Sequence, residues 1–188
     1  MLEEVEELVL YPALRAFLDD RIDPEFQEWK TTWQDSQEPG ADTVRETLQD
    51  LDLYLGTAFR LVRESDPGEP TDDEISPAHW QQSVVDATDT LKRNLYGDVG
   101  RLEDMTLYKP RGHYTNSSLL KGYFQTVVWL SQSQFHLTNE SSSSQWDREL
   151  RAAILMTLIV RDSGAVLHEG VGRAQFMLVA VKHPDGSI

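Results

Sequence analysis

The sequence predicts an all-α fold, an irregular multi-helix bundle. Three observations carry that expectation. Val44, Leu48, Leu51, Leu55, Ala58 and Val62 recur at alternating intervals of four and three, which puts them on one stripe of a helix. The run LRAAILMTLIV within 145–161 is apolar almost all round, as a helix at the centre of a core would be. Helix punctuation also falls where the pattern needs it, with Ser76-Pro77 at one start and Gly97 at the expected end of the same segment.

Each element follows in order. Val5, Leu8 and Val9, then Leu14, Phe17 and Leu18, make a first helical segment, with a kink or restart expected at Pro12. Pro24 to Trp33 reads as a short helix with Phe26, Trp29 and Trp33 on one face. The striped helix follows EPGAD with Asp42 as its cap. Leu53, Phe59 and Leu61 widen its apolar face, so it should be buried on more than one side. The segment 65–77 holds prolines, a glycine and a cluster of acids, and reads as an acidic loop. Trp80, Val84, Ala87, Leu91 and Leu95 extend a second stripe. A third strong helix runs from Thr115 to about Ser133, and SSSS at 141–144 separates it from the fourth. Residues 171–181, in a C-terminal piece marked by Gly170 and Gly172, fit a strand or a helix equally. The whole chain, 1–188, reads as one helical domain or a fragment of a larger one.

Composition narrows the function. The chain has 188 residues, no cysteine and a formal net charge of -15. Without cysteine, disulfides, thiolate metal sites and a cysteine nucleophile are excluded. The charge is uneven: residues 1–80 hold 21 Asp and Glu against 6 Lys and Arg, and residues 81–188 hold 11 of each. An acidic solvated face accounts for this, and a salt-adapted protein is the competing reading. Nucleic-acid binding through the acidic part is not expected, because phosphates need positive surface. No apolar run is long enough for a transmembrane segment. Four glutamates within the first seven residues do not suit a secretory leader.

Most chemical motifs fail on spacing. His168-Glu169 lacks the second histidine of a zinc protease, and the five histidines show no ligand spacing, so no metal and no cofactor are expected. GVGRAQ lacks the third glycine of a dinucleotide loop. There is no nucleophile elbow and no Walker pattern.

One stretch remains: KPRGHYTNSSLLKGYFQTVVWL, Lys109 to Leu130. Pro110 and Gly112 make a turn, and Thr115 is the expected cap of the helix behind it. Leu119, Leu120, Tyr123, Phe124, Val127, Val128 and Leu130 form its apolar face. Lys109, Arg111, His113 and Tyr114 are four groups that a helix start does not require. In a ligand reading they hold a small anion, a carboxylate or phosphate, in front of free helix N–H groups. In a structural reading Arg111 pairs with an acid and His113 bonds a carbonyl while Tyr114 packs. In a catalytic reading His113 is the general acid or base of a hydrolase-like domain. That requires a second ionisable group in reach, such as an acid from the N-terminal part.

These same residues carry a resemblance. Lys109 to Thr115, Leu120, Tyr123-Phe124 and Trp129-Leu130 match the segment that marks the domain-of-unknown-function 3160 family, found mostly in prokaryotic proteins. Its members usually run to several hundred residues and often carry an export or lipoprotein signal. The chain is therefore similar to an internal portion or a truncated member. Self-association, or association with the remainder of a longer chain, is a corresponding expectation. The resemblance implies no activity.

Overall fold

The structure, a computed structural model, describes residues 2–63, 76–87, 90–93, 101–132, 135 and 143–163. The acidic loop at 65–77 lies almost wholly outside the described residues. Residues 171–181, for which strand and helix stayed open, lie outside them too.

The fold is all-α in class. Its helices are α1 (Leu2–Val5), α2 (Tyr11–Phe17), α3 (Asp23–Gln34), α4 (Ala41–Val62), α5 (Pro77–Asp86), α6 (Ser118–Gln132) and α7 (Ser143–Asp162). Between α5 and α6 the strands β1 (Thr90–Arg93) and β2 (Arg101–Asp104) pair antiparallel, Thr90 opposite Asp104 and Arg93 opposite Arg101. Short 3-10 turns follow at Met105–Tyr108 and Gly112–Thr115.

The first three helices form one helical run, joined by π turns at Glu6–Leu10 and Leu18–Ile22 whose flanking residues all keep right-handed helical angles. Pro12 and Pro24 each sit two residues past the end of a π turn. A proline lacks the N–H of the helical ladder, and its ring collides with the carbonyl one turn back. A wider turn just before it relieves both problems. The sequence marks the irregularity at Pro12 correctly, but the helix continues through it, and the short helix expected over Pro24–Trp33 is α3, entered through the second π turn.

The central element is α4. It packs against α2, α3, α5, α6 and α7. Leu48, Leu51, Leu55, Ala58 and Val62 of the stripe are buried, and so are Leu53, Phe59 and Leu61, so its burial extends to more than one side. Gly40, with φ of 86°, precedes the helix at its N-cap position, and Asp42 pairs with Arg45 within the first turn. Only a residue tolerant of the left-handed region suits position 40.

Two expectations about helices need correction. The stripe from Trp80 predicts a helix reaching Gly97, yet α5 stops at Asp86 with Ala87 at φ 44°, and Leu91 lies in β1. Pairing with β2 overrides a helical spacing that continues only in the sequence. The apolar run of α7 also does not form the centre of the core. Ala152, Leu155, Met156 and Ile159 are buried, but Ile154 is exposed. Ser76 does cap α5, its hydroxyl accepting from the His79 amide at 3.1 Å.

Aromatic residues lock the helices together. Trp129 of α6 lies within 6.3 Å, centroid to centroid, of Tyr54, Trp80 and Tyr108. Its indole N–H donates to the Tyr54 carbonyl at 2.8 Å, and the Tyr54 hydroxyl donates to the Leu130 carbonyl at 3.1 Å. α4 and α6 therefore exchange two buried hydrogen bonds around a packed indole, and truncating such a tryptophan costs about 3–5 kcal/mol. α7 is tied to α4 by Arg148, which forks onto Asp50 at 2.5 and 2.8 Å and reaches Glu46 at 3.0 Å. Burial holds the Asp50 carboxyl above its ordinary value although Arg148 pulls it down.

The contact between α4 and α5 depends on Gly56. A Cβ there would stand 2.8 Å from the Pro77 ring. Alanine is the better helix former by about 1 kcal/mol, while overpacking against a rigid ring costs about 1–3 kcal/mol. Gly56→Ala is therefore expected to lower stability by about 1 kcal/mol in urea unfolding, against the helix-propensity trend.

Candidate functional site

The stretch from Lys109 to Ser117 runs between the two 3-10 turns and the start of α6. Asp104 fixes its approach, accepting from the Thr106 amide at 3.0 Å and the Thr106 hydroxyl at 2.6 Å; these bonds hold the Asp104 carboxyl below its ordinary value. Arg111 is extended, and Gly112 reverses the chain at φ 59°. The amides of Tyr114 and Asn116 then donate back to the carbonyls of Arg111 and His113. The Thr115 hydroxyl donates to the Gly112 carbonyl at 2.8 Å, so Thr115 closes this turn. The helix cap is Ser117, whose hydroxyl accepts from the Leu120 amide at 3.2 Å. The sequence places the cap two residues too early because both residues are good caps, and the extra 3-10 turn leaves no local mark.

The four candidate residues separate into two pairs. His113 and Tyr114 converge on one carboxylate, Glu6, in the π turn after α1. The imidazole Nε2 stands 2.5 Å from Glu6 Oε2, and the Tyr114 hydroxyl donates to Glu6 Oε1 at 2.7 Å. An ionised carboxylate only accepts, so it selects the tautomer of His113 with the proton on Nε2. The Tyr114 ring packs between His113, at 4.1 Å between centroids, and Phe124 of α6, at 4.8 Å. Lys109 and Arg111 point the other way in character: both are exposed, and among the described residues neither makes an ion pair.

Glu6 is 6% exposed. A carboxylate so deeply buried is costly unless hydrogen-bonded donors surround it. The neighbouring acids repeat the arrangement. Glu3 accepts from the Asn116 amide group at 2.9 Å, and Glu7 accepts from the Ser117 hydroxyl at 2.8 Å. Three acids of the first helical run thus bind four polar side chains of the stretch. The sequence reading names none of those acids as site residues, although its catalytic reading asks for an acid of the N-terminal part within reach of His113, where Glu6 stands. Their spacing was the available signal, since residues 3, 6 and 7 share one side of a helix. Burial and the Glu6 carboxylate together push the Tyr114 phenol up to about 12.

The described hollows of the surface lie elsewhere. One of about 220 Å³ is lined by Trp29, Val44, Arg151, Ile154, Leu155 and neighbours, between α3, α4 and α7. Another of about 200 Å³ lies by Lys30, Arg45 and Asp52. Among the described residues no group of three or more His, Asp or Glu is placed to hold a metal ion, and no helix is long and apolar enough to cross a membrane.

A helical bundle whose N-terminal acids clasp the turn before a buried aromatic helix is the class that fold and site define. The family is then shown by comparison. A family model described as "Protein of unknown function (DUF3160)" matches residues 1–165, and the chain belongs to that family. The match takes in both halves of the clasp, well beyond the thirty or so residues that carry the resemblance in the sequence. No curated protein and no solved structure matches the chain.

The clasp has a spectroscopic consequence. Tyr114 ionises at a raised pKa, so the stability it draws from Glu6 is present at neutral pH and lost as pH rises through about 12. In Glu6→Gln the tyrosinate titration assigned to Tyr114, taken as the difference from Tyr114→Phe, should move back toward about 10. An unmoved midpoint would mean that Glu6 does not act on the phenol.

Proposed function

We propose that this chain is a noncatalytic helical domain that contacts a small anionic ligand, a carboxylate or phosphate, through the turn at Lys109–Tyr114. His113 and Tyr114 set the position of the turn, and Lys109 and Arg111 supply the charge. The observation that carries the reading is the division within the turn. Two of its residues are bonded to a buried carboxylate, while its two cations stay exposed and without an ion pair among the described residues, in a chain rich in acids. Arg111 presents a planar fork suited to carboxylate or phosphate. The net charge of -15 repels anions at long range, which favours a small ligand held by direct contact.

A second reading is favoured by one distance. A general acid or base at His113 needs an ionisable partner, and Glu6 stands 2.5 Å from its Nε2. The ring would then act through Nδ1, with Glu6 orienting it. Against this, neither of the two hollows described above includes residue 113.

Calorimetric titration of the chain with inorganic phosphate and with a small dicarboxylate separates the readings. The ligand reading expects saturable binding, weakened about tenfold in Lys109→Ala/Arg111→Ala, a change of about 1.4 kcal/mol, and no ester hydrolysis that depends on His113. No binding, or binding indifferent to both substitutions, would overturn it. Ester hydrolysis abolished by His113→Asn would support the catalytic reading in its place.

A further inference from the structure

The hollow between α3, α4 and α7 has a volume of about 220 Å³. That is below the roughly 300–1,000 Å³ of sites for drug-sized molecules, so anything it holds is small. The three helices pack pairwise and all of them wall it. Trp29, Val44, Ile154, Leu155 and Leu158 make the walls apolar. Two polar groups of the lining are already spent. The Trp29 indole N–H donates to Glu25 at 2.9 Å, and the Thr47 hydroxyl donates to the Thr43 carbonyl at 2.8 Å. Among the described residues that line the hollow, only Arg151 is charged, and its donors are not spent. Its Nε is buried and has no hydrogen-bond partner among the described residues. Its Nη2 stands 3.7 Å from Glu46 Oε2, beyond hydrogen-bond distance. The cause lies one turn earlier on α7. Arg148 takes both Asp50 oxygens and the other Glu46 oxygen. Two arginines meet two carboxylates, so the charges balance, but Arg148 uses the acceptors. A buried donor without an acceptor is costly, and few persist in native proteins.

We propose that this hollow binds a small monocarboxylate with a short apolar tail, its carboxylate accepting from the Arg151 guanidinium and its tail lying against Trp29, Val44 and Ile154. The Arg151 side chain is 37% exposed and lines the hollow, so its guanidinium can turn to a head group placed there. A carboxylate presents two coplanar oxygens, which match the fork of a guanidinium. The tail covers Ile154, which is 53% exposed and which no described element covers. A neutral ligand would leave the donors of Arg151 unused, and an ammonium would be repelled by them. A bare anion would leave the apolar walls wet. The hollow is built on other elements than the Lys109–Tyr114 turn, so the inference stands without the reading of that turn.

Calorimetric titration of the full chain with hexanoate is the test, with acetate, hexanol and hexylamine as controls. The expected result is saturable binding of hexanoate, about tenfold tighter than that of any control. Arg151→Gln removes the charge, and Ile154→Ser removes apolar wall from an exposed position. Each should weaken hexanoate about tenfold, while circular dichroism checks that the helices persist. Lys109→Ala/Arg111→Ala should leave hexanoate binding unchanged, which separates this hollow from the turn. Acetate binding as tightly as hexanoate would show bare attraction of an anion. Hexanol binding as tightly would show that Arg151 takes no part. Binding lost in Lys109→Ala/Arg111→Ala but kept in Arg151→Gln would put the ligand at the turn. Any of these results, or no hexanoate binding at all, overturns the inference.

Discussion

Glu6 sets the constraint on which the N-terminal half of the site depends. A carboxylate buried to that degree must be met by donors, and two adjacent residues of the motif turn provide them. Each hydrogen bond to a charged group contributes about 1.5–3 kcal/mol. Those bonds join positions 107 and 108 residues apart in sequence, so they fix long-range topology as well as local geometry. Three consequences follow from one buried acid. The turn acquires a defined shape, the first helical run is held with Glu3, Glu6 and Glu7 inward, and Leu2, Val5, Leu8 and Val9 face out.

The motif joins this polar clasp to the core without a break. His113 and Tyr114 face Glu6, and the Tyr114 ring packs on Phe124 in the second turn of α6. Farther along the same helix, Trp129 occupies the centre of the aromatic cluster and trades hydrogen bonds with α4. Position along the stretch therefore corresponds to depth in the protein. Lys109 and Arg111 are at the surface, His113 and Tyr114 half-buried at the clasp, and Trp129 fully buried. The stretch from Lys109 to Leu130 thus runs from the surface into the core.

Much of the fold was legible in the sequence because burial leaves a periodic trace. The stripe of α4 was readable for that reason, and so was the Ser76 cap. The departures have different causes. Leu91 continues a helical spacing but pairs in a ribbon. Ile154 sits in an apolar run, yet no described element covers it. The π turns before Pro12 and Pro24 change the local period, which a fixed helical spacing cannot register. The candidate turn was found from its residue types, since Lys, Arg, His and Tyr around a Pro and a Gly exceed what a helix start needs. Its acidic counterpart could be expected only as an unnamed acid of the N-terminal part, because a glutamate in a sequence shows charge without direction. Only the phase of the helical run reveals that residues 3, 6 and 7 face inward.

The central claim is that Glu6 holds the motif turn in place. Amide hydrogen exchange of the full chain, compared with Glu6→Gln, tests it most directly. The amides of Tyr114 and Asn116 are bonded to the carbonyls of Arg111 and His113. They should lose about tenfold in protection in the variant, the loss expected for local opening made easier by about 1.4 kcal/mol. The amides around Trp129 and Leu130 should be unchanged. Equal protection of the turn in both proteins would contradict the account.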